Sequence, residues 1–354
     1  MEVQGKLKDG ETVKVGVLSG GGDAPGINAV IRAVVRKGIQ FYKDEIVGIR
    51  DGWKGLLEGS FSTLDLNSVS GILPKGGSIL GTSRTNPFKR ERGPEKILEN
   101  AEKEGLGAVV VIGGDDTLTV AYKMSELGLK CVGVPKTIDN DLVGTDYTFG
   151  FHTAVAIATE ALDRLHTTAE AHHRVIILEV MGRYTGWIAL EAGIAGGADA
   201  ILIPEEPFDI DEVCEYVQRR RERGKNFSII VVAEGAKPKG GKEILYSEKV
   251  DEFGHVRFGG VGYYIGKKLE ECSGIETRVV VLGHVQRGGS PTAFDRVLAT
   301  RYGIAAIDLV HEGKFGRMVA LQGNKIVSVP LKDVVGKKKT VNRELYEIAK
   351  VFFG

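Results

Sequence analysis

The sequence has 354 residues, enough for two domains, and its 42% hydrophobic and 27% charged residues are the ordinary balance of a globular protein. Its 47 basic and 47 acidic side chains cancel, so no overall field attracts nucleic acid or an anionic membrane. The N-terminus lacks the apolar core of a signal peptide, and no apolar run approaches membrane-spanning length. We therefore predict a cytoplasmic protein that binds neither nucleic acid nor membrane.

The three cysteines, Cys131, Cys214 and Cys272, lie far apart and form no Cys-x-x-Cys pair. This spacing predicts neither a zinc site nor a disulfide, and it favours a reducing compartment. Two short basic runs, at residues 237–242 and 337–339, are interpreted as solvated loops.

Short apolar, β-branched runs recur along the chain and predict strands. Because they are continuous rather than alternating, both faces of each strand should be buried, as in a mainly parallel sheet. The predicted strands are residues 13–18, 108–112, 131–134, 174–180, 200–203, 227–233 and 278–282.

Helical patterns lie between these strands. Ile27, Val30, Ile31, Val34 and Val35 recur at helical spacing, and residues 117–127, 153–166 and 211–223 follow the same pattern. The alternation predicts an α/β fold with doubly wound, mainly parallel sheets. The stretch 237–260 is rich in Gly and Lys and predicts an excursion from the second half, with a hairpin as one form it could take. Its role stays open.

Nearly every predicted strand runs directly into a polar, glycine-bearing motif. In open α/β sheets, ligands bind beyond the carboxyl ends of the strands, so these motifs together predict one long cleft. The motifs occupy residues 19–26, 113–117, 135–141, 181–183, 234–235 and 283–289.

The loop at residues 20–26 joins a strand to a helix, where backbone N–H groups and the helix dipole favour a phosphate. It lacks the glycine spacing of the dinucleotide fingerprint. Gly21 and Gly26 have Walker A spacing, but Ile27 and Asn28 follow instead of Lys and Ser or Thr. A phosphate loop of another kind is predicted, and a tight turn capped by an aspartate is the alternative.

Two carboxylate motifs complete the first half. Asp115 beside glycine-rich backbone suits a Mg²⁺–phosphate complex, with helix capping by Asp115 or Thr117 as the structural alternative. Asp139 and Asp141 are two residues apart, so one could accept the proton of an attacking hydroxyl while the other helps to hold the metal. An Asx-rich turn is the structural alternative there.

A basic set in strand-end segments suits phosphate oxygens, because guanidinium groups bind them bidentately. Any single arginine is more often a surface ion pair, but the group occurs with His284 and Glu234, and a glutamate suits sugar hydroxyls. The arginines are Arg84, Arg174, Arg183, Arg278 and Arg287.

Taken together, the strings GGDAPGIN, PKTIDND, EVMGRYTG and GHVQRGGSP resemble the 6-phosphofructokinase family, over residues 14–299. The resemblance implies two α/β domains with the active site in the cleft between them. Residues 1–150 with about 286–336 would bind the phosphoryl donor and Mg²⁺. Residues 151–285 with about 337–354 would bind the sugar phosphate.

The resemblance also implies a role for individual residues. Asp139 would be the catalytic base, supported by Thr137 and Asp141; Asp115 would carry Mg²⁺. Arg174 and Arg278 would reach the sugar phosphate of a neighbouring subunit, which implies a homodimer or homotetramer. Gly22, Arg84, Asp116 and Lys136 would bind the donor, Lys136 and Arg183 would assist the transfer, and fructose 6-phosphate would contact Met181, Gly182, Arg183, Glu234, His284 and Arg287.

Asp116 and Lys136 decide which donor is predicted. ATP-using members of the family typically have glycine at both positions, whereas pyrophosphate-using members have Asp and Lys. A carboxylate at Asp116 would repel an α-phosphate, and Lys136 could neutralise a compact pyrophosphate. The alternative is an internal ion pair between the two, with ATP still accommodated.

The predicted reaction is therefore reversible transfer from pyrophosphate to the 1-hydroxyl of fructose 6-phosphate, giving fructose 1,6-bisphosphate in glycolysis and gluconeogenesis. An ATP-dependent 6-phosphofructokinase is one alternative. A non-catalytic regulatory protein that binds sugar phosphate is another, although such a protein would be expected to lose Asp115 or Asp139. Whether sedoheptulose 7-phosphate is also accepted stays open.

Overall fold

The computed structural model describes residues 12–242, 244–247 and 250–354. The chain divides into two compact units. The first consists of the chain up to Gly150 together with Arg287–Lys338, and the second consists of Phe151–Gln286 together with Lys339–Gly354. None of the helices in the described ranges combines the length and the apolar character needed to cross a membrane.

The regular elements are numbered in chain order. The strands are β1 (Lys14–Ser19), β2 (Glu45–Ile49), β3 (Phe61–Leu64), β4 (Ala108–Gly113), β5 (Cys131–Thr137), β6 (Phe149–Gly150), β7 (Val175–Val180), β8 (Ala200–Leu202), β9 (Ser228–Ala233), β10 (Leu245–Ser247), β11 (Arg257–Phe258), β12 (Thr277–Val281), β13 (Arg317–Gln322) and β14 (Lys325–Pro330). The α-helices are α1 (Ile27–Lys37), α2 (Trp53–Glu58), α3 (Gly93–Glu104), α4 (Asp115–Glu126), α5 (Phe151–His172), α6 (Trp187–Ala195), α7 (Ile210–Glu222), α8 (Val261–Ser273), α9 (Ala293–His311), α10 (Leu331–Val334) and α11 (Arg343–Lys350).

The first unit is built on a sheet with the order β14-β13-β5-β4-β1-β2-β3, and β6 pairs with β5. The central pairs, including β1–β4 and β4–β5, are parallel, and only β2–β3 and β13–β14 are antiparallel. Every residue of β4 is buried, as its unbroken apolar sequence requires. Helix α9 packs closely on α1, where Gly303 leaves room for the backbone of Val30.

The second unit has a sheet with the order β12-β7-β9-β8, and all of its pairs are parallel. Strands β10 and β11 form a separate antiparallel pair inside the excursion predicted at residues 237–260. The carboxyl ends of β7, β9 and β12 therefore lie side by side, and each is followed by one of the glycine-bearing motifs.

The seven predicted strands and four predicted helices are all present, with ends that differ by a few residues, so the mainly parallel α/β prediction is confirmed. The edge strands β3 and β14 were not predicted, because their residues are only partly buried and lack an unbroken apolar run. Helix α9 was also missed, because it is buried on several sides and has no single apolar stripe.

One prediction about the cysteines is wrong: Cys214 of α7 and Cys272 of α8 form a disulfide. Their sequence separation of 58 hides the pairing, because α7 and α8 become neighbours only when the second unit folds. Cys131 is a buried free thiol in β5.

Candidate functional site

The glycine-rich loop after β1 is held by backbone hydrogen bonds. The Gly20 N–H donates to the Ile112 carbonyl (3.0 Å), the Gly21 N–H donates to the Ser83 carbonyl (2.9 Å), and the Thr82 hydroxyl donates to the Gly21 carbonyl (2.7 Å). Gly21 has a φ of 81°, a conformation that glycine adopts without steric cost. The loop is thus fixed before any ligand arrives.

Lys136, the penultimate residue of β5, reaches under this loop. Its Nζ donates to the carbonyl of Gly20 (2.9 Å) and to that of Gly22, and its side chain is almost completely buried. The positive charge is therefore placed against the backbone predicted to hold phosphate.

Arg287 lies beside Gly22 and belongs to the first unit. A Cβ placed on Gly22 would be 2.7 Å from Nη1 of Arg287, so only glycine allows the guanidinium to come this close. Arg287 was predicted to bind sugar phosphate, and the structure places its side chain beside the predicted donor loop.

Helix α4 begins directly after β4, with Asp115 and Asp116 in its first turn. The N-cap is Gly114, which makes no side-chain cap, so the helix-capping alternative for Asp115 and Thr117 is wrong. Thr117 instead packs against Gly20 and Gly113, where an added Cβ would lie 2.8 Å and 2.3 Å from its side chain. Because Gly20 and Gly113 have no side chains, the loop after β1 and the end of β4 can both approach Thr117 closely.

The end of the first unit approaches these carboxylates. The Gly336 N–H donates to Oδ1 of Asp115 (3.2 Å), and Nζ of Lys338 lies 3.4 Å from Oδ2 of Asp141. The interpretation of residues 337–339 as a solvated run is confirmed for Lys337 and Lys338, which are exposed, although Nζ of Lys338 also contacts Asp141. The Lys339 carbonyl accepts the indole N–H of Trp187 (2.9 Å). Spacing gave no signal for these contacts, since 152 to 221 residues separate the partners.

The loop after β5 presents Asp139 and Asp141, both nearly buried. The Asp139 N–H donates to the hydroxyl of Thr137 (3.0 Å), and the Asn140 side chain accepts the Thr148 N–H (3.1 Å). Asn140 has a φ of 52°, in the left-handed region that few non-glycine residues adopt. Such strain persists where the surroundings enforce it, often at functional sites.

The carboxylates of the first unit fit a divalent cation shared with a phosphate. Burial raises the pKa of Asp115, and nearby Asp116 and Asp141 add to this, whereas the Gly336 N–H and Lys338 oppose it. In the described part of the chain, no group of three or more His, Cys, Asp or Glu side chains could hold a metal alone. Mg²⁺ in phosphoryl-transfer sites uses one or two carboxylates and takes its remaining ligands from substrate and water.

The second unit carries the predicted sugar-side residues at the ends of β7 and β9. The Arg183 N–H donates to Oε1 of Glu234 (3.1 Å), and the Glu234 N–H donates to the Val180 carbonyl (2.8 Å). Arg183 has a φ of 50°, and a Cβ on Gly235 would lie 1.9 Å from its carbonyl oxygen. Met181 and Gly182 lead into this turn, whose backbone is therefore strained and tightly enclosed.

Three further predicted residues of the second unit are Arg174, directly before β7, Arg278 in β12 and His284, which follows β12. Nε of Arg174 donates to Glu276 (2.7 Å), and Nη2 of Arg278 binds the other oxygen of the same carboxylate. Glu276, which sequence reasoning missed, thus holds the two arginines side by side. His284 is exposed in the short 3₁₀ helix Gly283–Arg287 after β12.

Within the first unit, Lys136 contacts the carbonyl of Gly22, and Asp141 lies near enough to raise the pKa of Asp115, while Asp139 lies in the same loop as Asp141. Arg84 is exposed and follows Ser83, whose carbonyl binds the glycine-rich loop. These contacts join a glycine-rich loop, a lysine and several carboxylates at the ends of β1, β4 and β5.

Residues 14–310 match the family described as "Phosphofructokinase". The chain belongs to the phosphofructokinase family. Among the relatives of this phosphofructokinase is the pyrophosphate–fructose 6-phosphate 1-phosphotransferase of Streptomyces coelicolor, 58% identical over 97% of this chain and 100% of the relative. The ATP-dependent 6-phosphofructokinase 3 of the same organism is 55% identical over 93% and 96%.

Among solved structures, the phosphofructokinase of Saccharomyces cerevisiae superimposes with a TM-score of 0.80 and 36% identity. The match covers 91% of this chain and 45% of the yeast chain, so this chain spans less than half of that protein. Relatives named for either donor are thus similar to this phosphofructokinase, and the donor has to be argued from its own residues.

Proposed function

We propose that the protein transfers a phosphoryl group from pyrophosphate to the 1-hydroxyl of fructose 6-phosphate, giving fructose 1,6-bisphosphate. The bond formed resembles the bond broken in its energy, so the reaction would run in both directions and serve glycolysis and gluconeogenesis. The names of the relatives that are 58% identical, from Streptomyces coelicolor and Amycolatopsis methanolica, support this proposal.

The observation that carries the choice of donor is the position of Lys136. Its buried ammonium group, bound to the carbonyl oxygens of the glycine-rich loop, puts a point charge where a compact anion would sit. Asp116, in the first turn of α4, adds a negative charge that would repel the α-phosphate of a nucleotide. Pyrophosphate has no such group and would not meet this repulsion.

Asp139 would accept the proton of the sugar hydroxyl as that oxygen attacks phosphorus. The hydrogen bond from its own N–H to Thr137 and the enforced backbone of Asn140 fix the backbone from which the carboxylate projects. Such positioning, with electrostatic stabilisation of the transferring group, accounts for most of the catalysis in phosphoryl transfer. Lys136, Arg84, Arg183 and Arg287 would supply the stabilising charge.

Asp115 would hold the metal ion, with Asp141 as its neighbour. Phosphofructokinases generally need a divalent metal, and we propose Mg²⁺. When bound, Mg²⁺ would neutralise charge on the donor phosphates and fix their orientation.

Met181, Gly182, Arg183, Glu234 and His284 would bind fructose 6-phosphate. Arg174 and Arg278 would bind the sugar phosphate of a neighbouring subunit, so we propose a homodimer or homotetramer. We also propose a cytoplasmic location.

The test is a comparison of donors. The purified protein is assayed with fructose 6-phosphate and Mg²⁺, and either pyrophosphate or ATP as donor, in both directions. We expect kcat/KM to be at least about tenfold higher with pyrophosphate than with ATP. A factor of this size corresponds to one hydrogen bond to a charged group. Equal or better use of ATP would overturn the choice of donor and favour the ATP-dependent alternative, which the relative at 55% identity supports.

Asp139→Ala separates an enzyme from a non-catalytic regulatory protein. We expect kcat to fall by a factor of about 10² to 10⁴, the usual contribution of a general base, while fructose 6-phosphate still binds. If the wild-type protein were a non-catalytic regulatory protein, its rate would be no higher than the background rate of the Asp139→Ala variant.

A further inference from the structure

Lys338 is the last residue of the first unit and lies beside the carboxylates assigned to metal and catalysis. Its Nζ is 3.4 Å from Oδ2 of Asp141, and two residues earlier the Gly336 N–H donates to Oδ1 of Asp115 (3.2 Å). One short segment therefore contacts both the loop after β5 and the start of α4. We propose that Lys338 is a donor-binding residue, whose ammonium group binds the phosphate that leaves pyrophosphate.

The first unit places Asp115, Asp116 and Asp141 close enough to affect one another electrostatically. A polyphosphate that binds among them brings several more negative charges, and each must be balanced by a cation. The buried Lys136 supplies one positive charge to the glycine-rich loop. Lys338 places a second positive charge beside the carboxylate of Asp141.

Accessibility separates the two lysines. Lys136 is 3% exposed and donates to backbone carbonyls, so it stabilises the conformation of the glycine-rich loop and also places a positive charge there. The Lys338 side chain is 34% exposed, so a ligand arriving from solvent can reach its ammonium group. Its contact with Oδ2 of the buried Asp141 is long, and an ammonium group has three N–H donors. The ammonium group can therefore keep Asp141 as a partner and still donate to an incoming phosphate.

The bridging P–O bond of pyrophosphate breaks, and a P–O bond to the sugar 1-oxygen forms. The proton of the sugar hydroxyl passes to Asp139, and the departing inorganic phosphate takes the electron pair of the broken bond. A cation beside that phosphate stabilises the charge that develops on it, which lowers the barrier in both directions.

The inference rests on the proposed function, and its test uses three variants. Lys338→Gln removes the charge, Lys338→Arg keeps it, and Lys337→Gln removes the charge of the neighbouring exposed lysine as a matched control. For each protein we would measure kcat, the KM values of pyrophosphate and fructose 6-phosphate, the KM of inorganic phosphate in reverse, and the melting temperature. The dissociation constant of imidodiphosphate with Mg²⁺, measured calorimetrically without sugar, adds a readout independent of turnover.

We expect Lys338→Gln to raise the KM of pyrophosphate and inorganic phosphate, and the dissociation constant of imidodiphosphate, by about tenfold or more, as for the loss of a charge-assisted contact. The KM of fructose 6-phosphate should change little, Lys338→Arg should recover most of the loss, and Lys337→Gln should match the wild type. If Lys338→Gln also matches the wild type, or if it changes only the melting temperature, Lys338 merely anchors the segment and the inference fails.

Failure of the proposed function would look different. In that case the wild-type protein itself would not use pyrophosphate, whichever lysine is present. The effect of Lys338→Gln on imidodiphosphate binding would still decide whether this residue contacts a diphosphate.

Discussion

Nζ of Lys136 donates a hydrogen bond to the carbonyl oxygen of Gly20, 2.9 Å away. This contact joins the end of β5 to the loop after β1, which are two strands apart in the sheet. The loop consequently carries a positive charge that is fixed in place and excluded from water, and a charge in such a place acts more strongly than one in solvent.

We predict that replacing Asp116 and Lys136 together by glycine shifts the donor preference towards ATP. The change removes the carboxylate that repels an α-phosphate and the ammonium group that matches a compact donor. The ratio of kcat/KM for ATP to that for pyrophosphate should rise by about tenfold or more. The two single variants would show which charge matters more.

Asp333→Ala, a change at an exposed carboxylate in α10, serves as the control and should leave the ratio unaltered. If the double variant keeps the wild-type ratio while it still folds, Asp116 and Lys136 do not select the donor.

The predicted parts of the fold are those in which local sequence decides the structure. Strand β4 is apolar throughout because both of its faces are buried, and the Asp139 loop follows its strand directly. Lys338 could not be predicted in the same way, because its partner Asp141 is 197 positions away and a surface lysine has the same local pattern. The Cys214–Cys272 pair was missed for the same reason.

We predict that subunits defective in different residues restore activity in hybrids. Arg278→Ser and Asp139→Ala should each be inactive alone. If Arg278 acts on the neighbouring subunit, a hybrid dimer has one site with both residues intact. Random mixing by co-expression should then give roughly one quarter of the wild-type activity for a two-fold symmetric pair.

The measurement uses two affinity tags, so that hybrids can be purified and assayed apart from the parent oligomers. Co-expression of two Asp139→Ala subunits with different tags is the control and should stay inactive. Inactive Arg278→Ser/Asp139→Ala hybrids would mean that Arg278 serves its own subunit.

We predict one reactive thiol per chain in denaturant without reductant, and three after reduction, because Cys214 and Cys272 are joined. In the native protein even Cys131 should be unreactive, since burial raises the pKa of its thiol to about 12. Cys272→Ser should lower the free energy of unfolding by up to about 4 kcal/mol, the loop-closure value for a separation of 58.

The effect of Cys272→Ser should disappear when both proteins are unfolded in the presence of reductant, because the wild type then also lacks the crosslink. A difference that persists under reduction would assign the loss to packing between α7 and α8. Three thiols in the unreduced protein would mean that the pair is not joined in solution.

We predict that Glu191 makes stability depend on pH. Burial raises the pKa of this carboxyl in α6 from 4.5 to about 7, and Lys339 only partly opposes the shift. Between these values the folded protein keeps a proton that the unfolded chain releases, so stability falls as the pH rises from 4.5 to 7. Below this window both states are protonated and the cost of ionising the buried group vanishes.

Glu191→Gln removes this dependence. Relative to wild type, the free energy of unfolding of the variant should be higher at pH 8 than at pH 5, by on the order of 1 kcal/mol after allowance for partial solvent contact. Urea unfolding at the two pH values measures it, with Glu58→Gln, an exposed carboxyl at the end of α2, as the matched control. If the free energies of unfolding of Glu191→Gln and wild type change by the same amount between pH 5 and pH 8, Glu191 is ionised throughout this range and Lys339 compensates for its burial.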